Sequence, residues 1–413
     1  MNFAILGTDP DILLLAAAAR NAGHKIVWLG DVRREDEAAI GRPAGNLADR
    51  ASEWELLLDR KLADGVFVGR GTANDDLRAE QLKRLVAEAM PLLIVHPILE
   101  SVLPYYEIDM ARRETSAVVQ HFNPLVDLPV ATDLAIWVRC GHPEIGAIHQ
   151  LTCERKVTSA ARGDVLACIA RDVELLAAVG GDIRRVSAIG PATPDASFAS
   201  LQVQMTTTIV ASLRWSVGGV ANIEAFQLAL LGEHGTITLR ESGPASQADA
   251  AWQLEIAHGD QQDVQSLPAF DPAKAAIARF AEAIAEPSIE HRAAASTWAA
   301  ATRAMEVVDA VELALQKGRT IEVFQQQLTE RLAFRGTMAA MGCGLLLLAF
   351  FAVVAVAMLG GAEGIVQQRL LPSWPLILLA VLAFFLFLQA IPMLAQKRIT
   401  GRENPPATPP SKS

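Results

Sequence analysis

The chain has 413 residues, a hydrophobic fraction of 51%, 20% charged residues and a formal net charge of −10. That length holds two ordinary domains with sizeable cores, and that composition excludes a disordered protein. An acidic chain lacks the cationic footprint that phosphate binding requires, so nucleic acid is excluded as a partner. Cys140, Cys153, Cys168 and Cys343 form no C-x-x-C pair and the histidines show no ligand spacing, so neither a disulfide framework nor a metal site is predicted.

The N-terminus opens with FAILG as a buried strand, without the basic n-region of a signal peptide, and the expected site of synthesis is the cytoplasm. Pro10 to Ala22 reads as a helix closed by Gly23, and KIVWLGD as a second strand ending on Asp31. LADGVFVG, Asp75 to Ala89 and LLIVHP add a strand, a helix and a strand stopped by Pro97. Strands alternating with helices predict a Rossmann-like, doubly wound parallel sheet over residues 1–125.

From about residue 130 the period changes. In SLQVQMTTTIVASLRWSV the odd positions 201 to 215 are mostly apolar, which predicts a long strand or a hairpin with one buried face. GAIHQLTCERKV and GTITLRES add strands, and Asp172 to Val179 lies in a helix between them. Pro272 to Ala285 and Ala293 to Leu315 read as alanine-rich helices, with GRTIEV closing the body. Residues 126–330 are thus expected to form an α+β domain with a large, mostly antiparallel open sheet, whose face offers a route to a homo-oligomer.

The tail predicts a two-helix transmembrane hairpin. Residues 337–359 and 375–395 form two apolar runs, each long enough for about 30 Å of hydrocarbon at about 1.5 Å per residue. Arg331, Arg335, Lys397, Arg398 and Arg402 flank them on one side, so the positive-inside rule predicts a multi-pass cell-membrane protein with both termini cytoplasmic and the lipid bilayer as a partner. Residues 396–413, ending in ENPPATPPSKS, read as a disordered cytoplasmic tail.

The order of these elements resembles the glucose-fructose oxidoreductase and inositol dehydrogenase (Gfo/Idh/MocA) family. The landmarks are the βαβ start with an acidic residue after its second strand, the DGVFVG strand and the proline turn of LIVHP. GHPEIGAIHQL, ARDVELLAAVGGDIRRVSAI, ALLGEHGTITL and AMEVVDAVELALQKGRTIEV follow in the family's order. The resemblance implies a nicotinamide cofactor, NAD or NADP, on the first domain and a sugar or cyclitol substrate against the open sheet of the second, and the expected small-molecule partner is a sugar or nucleotide ligand.

The cofactor loop departs from that pattern. A dinucleotide loop G-x-G-x-x-G/A lets backbone approach the pyrophosphate and the helix pack on the strand. Here Gly7 is followed by Thr8, Asp9, Pro10, Asp11 and Ile12, and only the first glycine is kept. Asp9 before Pro10 is a helix N-cap, so its carboxylate competes with a phosphate for the same amides. Asp31 and Arg33, after the second strand, are the candidates for a ribose diol and an adenosine phosphate. As plain surface residues they need no such role.

The catalytic positions depart too. By the resemblance, the E-K-P lysine falls on His96, and the aspartate and histidine of D-x-x-x-H fall on Ala167 and Arg171. A histidine can move a proton near neutral pH, whereas an arginine stays protonated. In the simpler reading His96 closes a turn, Arg171 pairs with an acidic neighbour such as Glu174, and Tyr105 and Tyr106 pack. Two functions stay open. One is a catalytically silent binding or scaffold module at the cytoplasmic membrane face, with NAD(P) lost. The other is an active NAD(P)-dependent dehydrogenase of a sugar or cyclitol derivative, using His96 or a tyrosine.

Overall fold

The structure is a computed structural model that describes residues 1–41, 51–59, 62–191, 193, 196–241, 252–286, 288 and 296–323. The chain divides into two units, Met1–Gln325 and Gln326–Ser413, and every element below belongs to the first.

Five strands form the first sheet: β1 (Asn2–Leu6), β2 (Lys25–Gly30), β3 (Gly65–Val68), β4 (Leu92–Val95) and β5 (Val119–Phe122). All neighbours are parallel, in the order β2-β1-β3-β4-β5. The short runs GVFV and LLIV are buried on both faces, as a parallel sheet covered by helices requires. Those helices are α1 (Pro10–Asn21), α2 (Arg34–Ile40), α3 (Asp75–Ala87) and α4 (Leu103–Thr115). Side-chain caps start two of them. Asp9 accepts from the Ile12 amide and Asn74 from the Leu77 amide, each at 2.9 Å. The strand order reverses between β1 and β3, and the register sets Leu6 beside Val68, so the loops after both strands meet at one crevice.

After α5 (Val130–Cys140) come β6 (Ile148–Val157), α6 (Arg162–Gly180), β7 (Ile183–Ile189), β8 (Gln202–Thr207), β9 (Ser212–Val220) and β10 (Ala225–Gly232). Then follow β11 (Gly235–Glu241), β12 (Trp252–His258), β13 (Gln261–Ser266), α7 (Pro272–Ala285), α8 (Trp298–Lys317) and β14 (Ile321–Glu322). The sheet order is β13-β12-β11-β10-β6-β9-β8-β7-β14, antiparallel except for the β6–β9 pair. The period-two stretch is a hairpin of β8 and β9. Val203 faces Trp215 and Met205 faces Leu213, all four buried, while Gln202, Gln204 and Arg214 lie on the other face.

Against the alternating order of the chain, α7 returns to the first sheet. Phe280 packs on Phe3 and Phe67, with ring centroids 5.9 and 6.2 Å apart, beside α1. Gly65 admits this, because a Cβ there would come within 3.0 Å of Phe280 and Ile284.

The expectation of a transmembrane hairpin is corrected. Among the described residues no helix is long and apolar enough to cross a membrane. The longest described helix, α8, has 20 residues but carries Arg303, Glu306, Asp309, Glu312 and Lys317 and buries one stripe. Hydropathy registers only the apolar length of a run, whereas a span needs a helix that satisfies its backbone across the hydrocarbon. The runs 337–359 and 375–395 and the tail 396–413 lie outside the described residues. The fold class is therefore a Rossmann-like domain followed by a sheet domain. The predicted cell-membrane placement, with two cytoplasmic termini, is withdrawn with the hairpin.

Candidate functional site

The crevice at the ends of β1 and β3 is built from tight backbone and carboxylates. Gly7 has φ +83°, and a Cβ there would lie 2.5 Å from the Gly69 carbonyl oxygen and 2.6 Å from an Nη of Arg78. Asp9 uses one carboxylate oxygen on the Ile12 amide and the other on the Arg70 amide, at 3.0 Å. Ile12 stands where the cofactor pattern has its last glycine. Its bulk is accepted because the residue opposite is Gly69, where a Cβ would fall 2.6 Å from Ile12 Cγ1.

Asp31 turns inward. It is buried with φ +53°, and its carboxylate accepts from the amides of Thr72 and Ala73, from the Thr72 hydroxyl, and from Arg78 at 2.5 Å. Arg78 is itself buried, and burial lowers its pKa while Asp31 opposes the shift. Arg33 is exposed and heads α2, with its amide donating to the Thr8 hydroxyl at 3.3 Å.

His96 forms a cis peptide with Pro97, and its ring is buried edge-on against Tyr105 and His121, at centroid distances of 6.1 and 5.6 Å. Neither ring nitrogen has a hydrogen bond of good geometry among the described residues, and burial pushes its pKa down to about 4. Behind it, His121 Nε2 lies 2.8 Å from Glu174, which also accepts from Asn123 at 2.6 Å. Burial alone would raise the Glu174 pKa. His121 and His96, with the hydrogen bonds from His121 and Asn123, outweigh it and hold the carboxyl at about 2.

Arg171 does not pair with Glu174, as the sequence suggested. It pairs with Asp11 in the first turn of α1, at 2.5 Å, because the α6 face carrying Arg171 is turned to the crevice while Glu174 points to β5. Burial raises the Asp11 pKa, with Arg171 opposing. Tyr105 is stacked on Trp298 at 4.8 Å with its hydroxyl on the Ile98 amide, and Tyr106 donates to Glu306 at 2.6 Å.

Two arginines were missed in the sequence. Arg70 donates from Nε to the Pro97 carbonyl at 2.9 Å and is exposed at the centre of the cleft. Nothing in its local pattern marks it. Arg155 is buried beneath the cleft, paired with Asp172 on α6, which also accepts from Trp215 Nε1 at 2.8 Å. Here a signal was available, since Arg155 shares the inward parity of Leu151, Cys153 and Val157. Nearby Glu241 is pushed up to about 8 by burial, with Arg155 opposing.

Above the crevice lies a cleft of about 370 Å³ lined by Asp9, Asp11, Arg70, Arg171 and Glu224. It adjoins a second lobe of about 240 Å³ lined by Arg70, Arg155, Thr158, Ser159, Asp164 and Arg171. Among the described residues no group of histidine, cysteine and carboxylate side chains is placed to hold a metal.

No protein-family model and no curated protein matches the sequence. Solved structures do match. A 3-ketoreductase, KijD10, from Actinomadura kijaniata, solved with NADP, superposes with a TM-score of 0.60 at 17% identity, covering 76% of this chain and 97% of that one. A UDP-N-acetylglucosamine 3-dehydrogenase, GnnA, from Acidithiobacillus ferrooxidans gives 0.57 at 16% identity, covering 77% and 98%. A protein of Desulfitobacterium hafniense named as an NADPH-dependent oxidoreductase gives 0.63 at 15%, covering 78% and 97%. The chain has the fold of NAD(P)-dependent oxidoreductases.

At such identities the likeness extends to the fold alone. Within this oxidoreductase fold, a dinucleotide places its pyrophosphate at the N-terminus of the first helix and its ribose by the acidic residue after the second strand. Here a carboxylate occupies the first position, and the oxygens of Asp31 are already taken at the second. The residues present do not fit a dinucleotide bound in that manner.

Proposed function

We propose that this chain is a catalytically silent member of the Gfo/Idh/MocA family, keeping the oxidoreductase fold as a binding module for a small molecule. The observation that carries this reading is Asp9, whose carboxylate takes the two amides facing the switch point, so that the helix binds an anion of its own chain. The catalytic positions support it. Ala167 has no proton to move, Arg171 stays protonated and tied to Asp11, and the His96 ring is sealed from the cleft. Both tyrosine hydroxyls are engaged in hydrogen bonds within the fold, Tyr105 accepting from the Ile98 amide and Tyr106 donating to Glu306, and burial raises the pKa of each.

What favours the second reading, an active NAD(P)-dependent dehydrogenase of a sugar or cyclitol derivative, is the likeness to structures solved with NADP. Titrating the full chain with NADH, followed by nicotinamide fluorescence and thermal stability, separates the two, because a ligand that binds the native state raises its melting temperature. The unaltered chain is expected to show no response. Asp9→Gly with Ile12→Ala should cost roughly a few tenths of a kcal/mol in capping and about 2–5 kcal/mol at the buried Ile12 side chain, and gain NADH binding. Tight NADH binding by the unaltered chain, with sugar turnover lost in His96→Gln, would establish the dehydrogenase.

A further inference from the structure

The cis turn after β4 presents two consecutive carbonyls, and each holds one arginine. Arg171 Nε donates to the His96 carbonyl at 3.0 Å, and Arg70 Nε donates to the Pro97 carbonyl at 2.9 Å. One guanidinium comes from α6 and the other from the loop after β3, yet the turn sets them next to each other. Both side chains line both lobes of the cleft. Anchoring through Nε fixes the plane of a guanidinium and leaves its Nη edge to face outward, which is the edge that grips an oxyanion with two parallel hydrogen bonds. One Nη of Arg171 is spent on Asp11. Among the described residues no hydrogen bond or ion pair takes the Nη groups of Arg70.

The rest of the wall has the opposite chemistry. Glu224 and Asp164 are acceptors, and the Thr158 and Ser159 hydroxyls both donate and accept. A ligand that presented only an anion would be repelled by those carboxylates. One that also carried hydroxyl groups would donate hydrogen bonds to them. Lobes of about 370 and 240 Å³ are of a size for a compact molecule.

We propose that Arg70 and Arg171 form an oxyanion clamp for a small polyhydroxylated acid, a sugar carboxylate or sugar phosphate, whose hydroxyls face Glu224 and Asp164. This rests on the reading of the cleft as a ligand-binding site without a dinucleotide.

The test uses the full chain and three probes: glucuronate, glucose 6-phosphate and neutral glucose, each titrated by calorimetry with NADH in parallel. At least one acid is expected to bind at least tenfold more tightly than glucose, and the stronger of the two identifies the oxyanion as carboxylate or phosphate. Arg70→Lys and Arg171→Lys, which keep the charge but lose the planar fork, should each weaken that acid at least tenfold and narrow its advantage over glucose. A second measurement needs no variant. Phenylglyoxal labelling, mapped by mass spectrometry, should modify Arg70, and the bound acid but not glucose should protect it. Equal binding of acid and neutral sugar, or labelling of Arg70 that neither acid slows, overturns the clamp. NADH binding with turnover overturns the silent-module reading instead, so the two failures are told apart.

Discussion

Replacing Asp31 tests directly whether the acidic residue after β2 serves the fold or a cofactor. Asp31→Ala removes the only carboxylate paired with Arg78 among the described residues, and the two side chains are 2% and 1% exposed. Breaking such a buried pair from one side costs about 3–5 kcal/mol, because the remaining charge stays in the interior without a counter-ion. The φ of +53° adds to this, since alanine tolerates the left-handed region less well than aspartate or asparagine. At an unfolding entropy of about 2.1 cal/mol/K per residue over about 300 folded residues, the loss lowers the melting temperature by roughly 5–8 °C. Asp31→Asn, which keeps the left-handed backbone and an acceptor for Thr72, should fall between the parent and the alanine variant. Differential scanning fluorimetry of the full chain, with and without NADH, reads both effects. A loss under about 1 kcal/mol, accompanied by a change in NADH response, would falsify the structural assignment and return Asp31 to the ribose.

Two further outcomes are expected. Asp172→Ala takes from the buried guanidinium of Arg155 its nearer carboxylate, leaving only Glu241 at 3.8 Å among the described residues, and strands the Trp215 indole N–H, so urea unfolding should show a loss of about 3 kcal/mol. His96, with a native pKa of about 4 against 6.5 when unfolded, binds its proton first in the unfolded chain, so stability should fall as pH drops from about 6.5 to 4, by about 3 kcal/mol. Glu174, at about 2 against 4.5, continues the decline below pH 4.5, because its favourable native interactions are lost as it protonates. Melting temperatures between pH 8 and 4 should be flatter for His96→Gln than for the parent. Parallel profiles would show that His96 is not the group responsible.

Local chemistry made much of the architecture legible. The four-residue apolar runs GVFV and LLIV, short and bounded by turn residues, read as strands covered on both faces, and Asp-Pro before an apolar helix marks its start. The period-two stretch declared one buried face, although the turn that makes it a hairpin depended on Thr207 capping its own loop through the amides of Ile209 and Val210. Asp9 was legible as a cap for the same reason, since its first partner is only three residues away. The apolar runs after residue 336 spoke with equal force in the sequence, but they lie outside the described residues, among which no helix is long and apolar enough to cross a membrane.

The pairings that give the site its character lay beyond any local pattern. Arg171 meets Asp11 across 160 residues, Arg78 meets Asp31 across 47, and Arg70 reaches the Pro97 carbonyl across 27. Periodicity and capping are set by neighbours within a turn or a strand, so a single sequence displays them. Which charge neutralises which depends on how two sheets and α6 close around the crevice. Only that closure decides that the acidic residue after β2 points inward, that α1 binds its own carboxylate, and that two arginines from distant elements share one proline turn.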